Sequence, residues 1–437
     1  MRRKIIVLTL LFLMCGTIAA FAQQTYSIKQ SVDMRGGPGS YYELILRLHN
    51  GAKVTQVEKE GSWMKIKAGN KEGWIPEQST YLSEESPVSK QKEDDAPKSS
   101  MEDAFSELSG EEKKEDPYAS PAQVAAAVKG FARKYKSKRS DKTDVDFSRS
   151  FDDRINPRDY KQFRRDRFGD WNWQLAQSRF PLRTDTIPEM TPDIENMGWG
   201  IASALAQQNG LVKNYDLQRY LTYVGLIVTE SSHRYEIPVQ VHILDSNDIT
   251  GYACPNGIIF VSKGALKVME SEAELAFFLA HELAHIVLQH GIQESKDRKT
   301  KIRADDAISE LEDDLDYDER QDDKYVQTSQ DLSALADQVY EYIISDKLER
   351  YEFEADFWGL VYMYRAGYNP DAAVGLLQRI VDKQGDFERQ IGKLMWKGAS
   401  VEKRIELLNQ YKDNYDMAER LNREYKSAYQ NKKRLIY

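Results

Sequence analysis

The sequence predicts an α+β protein: a mainly helical domain with a small β-sheet, preceded by a small all-β barrel. Three observations carry this. Residues 26–82 alternate apolar and polar positions between turn signals. From residue 191 onward apolar residues recur with helical spacing, interrupted by two short strand-like runs. The composition, 41% hydrophobic and 30% charged over 437 residues, suits folded domains with a sizeable core.

Residues 1–22 read as a signal peptide. Met1-Arg2-Arg3-Lys4 is a basic start, and Ile5 to Met14 is an apolar run too short to span a bilayer comfortably. Ala20-Phe21-Ala22 is the small-x-small pattern of a cleavage site, so export and cleavage after Ala22 are expected, with no integral membrane segment afterwards. An uncleaved anchor is the rival reading. A lipoprotein reading through Cys15 is disfavoured because Met14 stands where a small residue is needed. Cleavage removes Cys15 and leaves Cys254 alone, so no intramolecular disulfide forms. The formal charge of −9 argues against a nucleic-acid partner.

In 26–82, Leu44, Leu46 and Leu48 alternate, Val54 has Val57 nearby, and Met64 and Ile66 oppose Trp63, Lys65 and Lys67. Turn signals stand at Gly36-Gly37-Pro38-Gly39, His49-Asn50-Gly51 and Gly61-Ser62. Residues 83–120 hold 12 acidic residues against five lysines, a composition expected to stay disordered as a linker. Residues 121–190 reverse the balance, 16 basic against 10 acidic, and read as a basic helical connector with a helix from Pro121 to Arg139. Asp170-Trp171-Asn172-Trp173 within it is an aromatic patch expected to dock on a neighbour.

Residues 191–437 form the larger domain. Helices are expected over Ile194–Gln208, Leu217–Ser231, Glu272–His290, about Ser345–Ala366 and Pro370–Lys383. Strands are expected over Val239–Leu244 and Gly257–Val261. Between two of the helices, residues 305–323 hold 11 acidic residues and one basic, Arg320. Asp314, Asp316 and Asp318 alternate as calcium ligands do, but the glycine and final glutamate of an EF-hand loop are missing. A mobile acidic lid and a plain solvated insertion are the two readings.

The sharpest motif is His281-Glu282-Leu283-Ala284-His285. Ser271 and Glu274 have capping-box spacing upstream and Gly291 is a stop downstream, which puts the motif on a helix. Residues at i and i+4 share a face, so both imidazoles converge on one point. Catalytic zinc takes three protein ligands and keeps one position open. Glu282, on an adjacent part of the turn, can reach a water there as general base. Two satisfied core histidines are the competing structural explanation, since the flanks Phe277-Phe278-Leu279 and Ile286-Val287-Leu288 make this a buried helix.

A third ligand must come from a downstream histidine or from a carboxylate on a second helix. His290, five positions after His285, stands about 140° away on an ideal helix and should not reach the same ion, leaving a place at the helix end or a supporting role behind a ligand. Glu352-Phe353-Glu354-Ala355-Asp356 offers the carboxylate. Glu352 and Asp356 share a face, so Glu352 can ligate while Asp356 accepts the second N–H of a ligand histidine. Small Ala355 permits close helix approach, and Glu354 points elsewhere, into solvent.

Two resemblances emerge. Met34-Arg35-Gly36-Gly37-Pro38-Gly39, Gly51-Ala52-Lys53-Val54, Gly61-Ser62-Trp63 and Gly73-Trp74-Ile75 resemble the bacterial SH3-like domain. That implies a cell-wall or protein partner. The HExxH helix followed by Glu352-x-x-Ala355-Asp356, 67 residues after His285, resembles the HtpX/CAAX-prenyl-protease type of gluzincin metallopeptidases, in its soluble exported branch. Thr250 to Val261 is similar to that family's N-A-F-A-x-P-G-G edge strand, and Ala366-Gly367-Tyr368-Asn369-Pro370 to its A-G-Y-[ND]-P turn.

The second resemblance implies a zincin-type peptidase fold and one zinc ion per chain. It implies that His281, His285 and Glu352 hold the ion, that Glu282 is the base acting on zinc-activated water, and that Asp356 backs a ligand. Arg404 is carried over as a candidate catalytic group stabilising the oxyanion, with a surface helix arginine as the alternative. Gly257, Ile258, Ile259 and Phe260 are expected to form the edge that pairs with an extended peptide. Cys254 beside that edge is either a small buried residue or a redox-sensitive rim thiol. This sequence departs from the family in having Thr250 for its asparagine, and Gly398 where many members have a histidine that helps stabilise the oxyanion. The expected function is an exported endopeptidase of misfolded or envelope proteins, in the bacterial periplasm. Its alternatives are an envelope-binding protein or holdase with a vestigial zinc site, and a peptidoglycan-directed hydrolase.

Overall fold

The computed structural model describes residues 24–82, 155–169, 180–182, 187–188, 190, 192–293, 339–341, 343–344, 349–390, 400–417 and 423–436. The expected signal peptide, the acidic linker, the helix Pro121–Arg139, the aromatic patch at 170–173, the acidic stretch 305–323 and Gly398 lie outside them. The chain divides into two compact units.

The first unit is all β. Its strands are β1 (Thr25–Ile28), β2 (Val32–Arg35), β3 (Leu44–Leu48), β4 (Lys53–Glu60), β5 (Trp63–Ala68), β6 (Lys71–Pro76) and β7 (Thr80–Leu82). They form one antiparallel sheet in the order β3-β2-β6-β5-β4-β1-β7. The alternation read from the sequence is the packing alternation in part: Met64 and Ile66 are buried with Ile28, Met34, Val54 and Ile75 while Lys67 is exposed, but Trp63 is buried too, and of Leu44, Leu46 and Leu48 only Leu48 is buried while Leu44 is exposed. Val57 breaks the pattern because the β4–β5 register shifts between Gln56 and Glu58, which leaves it 46% exposed. Gly73 is required where β6 crosses β2, since a Cβ there would stand 2.8 Å from the Arg35 carbonyl oxygen.

The second unit is mainly helical. Its elements are α1 (Pro157–Phe168), α2 (Pro192–Asn209), α3 (Tyr215–Thr229), β8 (Gln240–Leu244), β9 (Gly251–Ala253), β10 (Ile258–Ser262), α4 (Lys263–Val268), α5 (Glu272–Val287), α6 (Glu349–Arg365), α7 (Asp371–Gln390), α8 (Val401–Asn414) and α9 (Lys426–Lys433). Side-chain caps set several starts. Asn156, Asn214, Ser262, Ser271 and Ser400 each accept a backbone N–H of the turn they open. Every residue of α5 is buried, its ionisable Glu272, Glu274, His281, Glu282 and His285 included. It packs against α6, α3 and α7. No helix among the described residues is long and apolar enough to cross a membrane.

The small sheet corrects one expectation. Its order is β8-β10-β9, with β10 parallel to β8 and antiparallel to β9. Ile258, Ile259 and Phe260 are therefore on the central strand, fully buried, and not at an edge. The reason is the hairpin at Cys254-Pro255-Asn256-Gly257. Gly257 takes φ 91° there, and the chain folds Gly251–Ala253 onto the outer side of the strand that follows. The outer strands are β8 and β9, and β9 is the one that lies against Glu282.

Candidate metal centre

The N-terminus of α5 is held from several directions. The Ser271 hydroxyl accepts the Glu274 N–H, and Glu274 reaches back to the Glu270 N–H while forming two bonds with Arg379 of α7. Glu272 has no exposure, and its carboxylate accepts from Arg167 of α1, Tyr220 of α3 and Tyr368. This gives the Ala366-Gly367-Tyr368-Asn369-Pro370 turn its physical sense. Gly367 adopts φ 101°, Tyr368 pins the metal-site helix, and Asn369 accepts the Asp371 N–H at the start of α7.

One turn from its end, α5 presents His281 and His285. Their Nε2 atoms face each other at 3.2 Å. Glu352 of α6 completes the set, with one carboxylate oxygen 3.5 Å from His281 Nε2 and the other 3.4 Å from His285 Nε2. All three residues are buried and their ligand atoms lie within 4.8 Å of one another. Two nitrogens each about 2.0–2.1 Å from one tetrahedral zinc stand about 3.3 Å apart. The observed spacing fits, and two imidazoles with one carboxylate are a donor set zinc accepts.

The surroundings orient these donors. Asp356 Oδ1 stands 3.0 Å from His281 Nδ1, and a neutral ring with its hydrogen on that nitrogen would turn the Nε2 lone pair toward the cluster. Asp356 also receives both arms of Arg404 at 2.7 Å, and Arg404 stands 3.5 Å from Glu352. Arg404 is 1% exposed, so the alternative of a surface helix arginine is overturned. Burial disfavours the Asp356 carboxylate, but the Arg404 guanidinium and His281 outweigh it and hold its pKa below the ordinary range. Burial likewise opposes protonation of His281, yet Asp356 and Glu352 hold that ring above its usual value.

Glu282 is buried beside the cluster, and neither of its carboxylate oxygens has a hydrogen-bond partner among the described residues. A buried carboxylate with unused acceptors is costly unless something fills them. Gly251 of β9 lies against it: a Cβ at 251 would meet Glu282 Oε1 at 2.8 Å and the Phe278 ring at 2.5 Å. Cys254 is fully buried and its thiol is pushed up by burial and then by Glu282, which removes the reading as a reactive rim thiol.

His290 stays out of the cluster, as its spacing implies, but not at the place an ideal helix gives it. The α-helix ends at Val287, and Gln289 takes φ 53°, so the chain turns back. The angle of an ideal helix then no longer applies, and His290 Nδ1 comes within 2.8 Å of His285 Nδ1. Glu354 is half exposed, but its carboxylate stands 3.5 Å from His290 Nε2 instead of facing only solvent. Close helix approach is supplied by Gly359 together with Ala355. A Cβ at 359 would meet the His281 backbone, a contact readable in hindsight from the small-x-x-x-small spacing.

Comparison with known proteins agrees with this geometry. The model of peptidase family M48 matches residues 216–412, which span α3 through most of α8. Residues 216–412 are an M48 peptidase domain. Peptidases of that family are zinc-dependent metallopeptidases, and the M48 domain places its His–His–Glu cluster between α5 and α6. Residues 30–83 match the bacterial SH3 domain model. The chain is 28% identical to the mitochondrial metalloendopeptidase OMA1 of Schizosaccharomyces pombe over 40% of this chain and 46% of that protein. It is 40% identical to the mitochondrial metalloendopeptidase OMA1 of Bos taurus over 14% of this chain and 12% of that protein. It is 33% identical to the metalloprotease YcaL of Escherichia coli over 16% of this chain and 28% of that protein. The chain thus spans less than half the length of each of these relatives.

Proposed function

We propose that the chain is an exported zinc-dependent endopeptidase acting on misfolded or envelope proteins, with its SH3-like unit engaging a cell-wall or protein partner. The observation that carries the hydrolytic reading is Glu282, buried with both oxygens unpartnered beside a His281–His285–Glu352 cluster. Those three residues would hold the ion. Zinc bound there would supply a Lewis acid for the scissile carbonyl and would acidify a water. Glu282 then takes the proton from the attacking water and passes it to the leaving amine nitrogen. Asp356 fixes the His281 tautomer. Arg404, committed to Asp356 by two bonds, acts as a positioning residue for that carboxylate rather than as a group facing the oxyanion.

Substrate recognition in this reading belongs to β9. An extended peptide adding to that edge gains backbone hydrogen bonds with little sequence preference, alongside Glu282. Export rests on the pattern of residues 1–22, and a periplasmic location is inferred from it and from the resemblance to exported peptidases.

The test compares mature protein with Glu282→Gln on unfolded casein, with metal quantified in both. The substitution is isosteric, so the variant is expected to keep its zinc and lose cleavage by two orders of magnitude or more, about the contribution of a positioned general base. Equal cleavage by both proteins would sink the mechanism and favour a binding protein with a vestigial site.

A further inference from the structure

His290 is the one histidine near the cluster to which the reading above gives no task. It is 1% exposed and held against the Tyr351 ring, centroids 4.7 Å apart. Its Nδ1 stands 2.8 Å from His285 Nδ1, and its Nε2 lies 3.5 Å from the Glu354 carboxylate, at ion-pair distance and without a formed hydrogen bond. The left-handed Gln289, φ 53°, is what swings it there from beyond the end of α5.

Protons on these rings are interdependent. His281 faces the carboxylate of Asp356 through Nδ1, so its Nδ1 carries the hydrogen and its Nε2 is a bare lone pair. At His285 Nδ1 the neighbour, 2.8 Å away, is another imidazole. If His285 carries its hydrogen on Nε2, that hydrogen points at His281 Nε2 and blocks the cluster. If it carries the hydrogen on Nδ1, its Nε2 is free to ligate, and His290 Nδ1 must then be the acceptor. A neutral His290 that accepts through Nδ1 carries its hydrogen on Nε2, toward Glu354. The carboxylate, an obligate acceptor when ionised, favours that arrangement.

We propose that His290, backed by Glu354, is a positioning residue for the metal: it selects the ligating tautomer of His285 as Asp356 does for His281. Each ligand histidine is then backed by its own acceptor, one directly by a carboxylate and the other by a carboxylate through a second ring. This rests on the zinc reading of the cluster. Outer hydrogen-bond partners of metal-bound histidines typically matter ten- to a hundredfold in metal affinity.

The test measures zinc affinity of the full mature chain by chelator competition, with the melting temperature and far-UV circular dichroism of the metal-free protein alongside. His290→Phe fills the space without an acceptor and is expected to weaken zinc binding about ten- to a hundredfold, with metal-free melting unchanged. His290→Asn places an acceptor oxygen where Nδ1 was and is expected to recover most of the affinity. Glu354→Ala, at a half-exposed position that folding should tolerate, is expected to show a smaller loss, and it carries the test if His290→Phe does not fold. Wild-type protein that binds stoichiometric zinc while His290→Phe and Glu354→Ala bind it equally well would overturn this inference alone. So would His290→Asn behaving no better than His290→Phe. Wild-type protein that binds no stoichiometric metal would overturn it together with the zinc reading.

Discussion

Gly359 lies under the backbone of His281, so close that a Cβ on it would stand 3.0 Å from the His281 nitrogen and 3.1 Å from its Cα. Both neighbours are backbone atoms of a buried helix and have nowhere to move. Gly359→Val should therefore pry α6 from α5, separating Glu352 from His281 and His285. A loss of about 1–3 kcal/mol in unfolding free energy is expected, as for other overpacked cores, with weaker zinc retention. Denaturant unfolding with and without chelator measures both, and an undiminished midpoint would show that the helices can yield there.

Arg404 holds two buried carboxylates in balance, Asp356 at 2.7 Å and Glu352 at 3.5 Å. Arg404→Met keeps most of the volume and removes the charge, stranding Asp356. Breaking one side of a buried pair typically costs about 3–5 kcal/mol. Arg404→Lys should rescue little, because a single ammonium cannot make both bonds to Asp356. Thermal and denaturant melts of the two variants decide it; full rescue by lysine would mean that charge alone matters.

Gly251 leaves the space that Glu282 occupies. Gly251→Val puts methyl groups where Glu282 Oε1 and the Phe278 ring now sit. On the proposed mechanism the variant should keep stoichiometric zinc but lose casein turnover, chiefly in kcat. Wild-type kcat in this variant would detach β9 from the catalytic base.

His242 of β8 is buried, and burial pushes its pKa down to about 3. An unfolded chain protonates the same ring near pH 6.5. Between about pH 6.5 and pH 3 the unfolded state binds a proton that the folded state refuses, so this residue makes stability fall as pH falls. Above pH 6.5 both states leave it neutral and the effect vanishes. His242→Leu should flatten the pH dependence of unfolding free energy below 6.5 relative to wild type. Superimposable pH profiles would contradict the burial argument.

Much of the site was legible because its spacing is local. The i,i+4 histidines, and Glu352 with Asp356, needed only helical periodicity to share faces, and the long apolar flanks of α5 announced its burial. What escaped depended on contacts across the fold. Strand order is a pairing between segments, so nothing in Ile258–Phe260 itself reveals that β9 folds onto its outer side. A supporting role for His290 stayed open but could not be placed on a continuous helix, because a left-handed Gln289 gives no advance notice in composition. The destination of Arg404 was open for the same reason: an arginine on a charged helix becomes a buried counter-ion only once Asp356 is known to be opposite.

The anchoring of Glu272 bears on when, during synthesis, this machinery can exist. Its partners Arg167 and Tyr368 lie 105 residues earlier and 96 residues later in the chain. Arg404 follows Asp356 by a further 48. Contacts of such sequence separation form slowly, after the chain ends that supply them have emerged and docked. A nascent chain holding only the HExxH segment has neither its third ligand, Glu352, nor the arginine that pairs with Asp356. Distributing the site over distant segments ties completion of the cluster to completion of the fold.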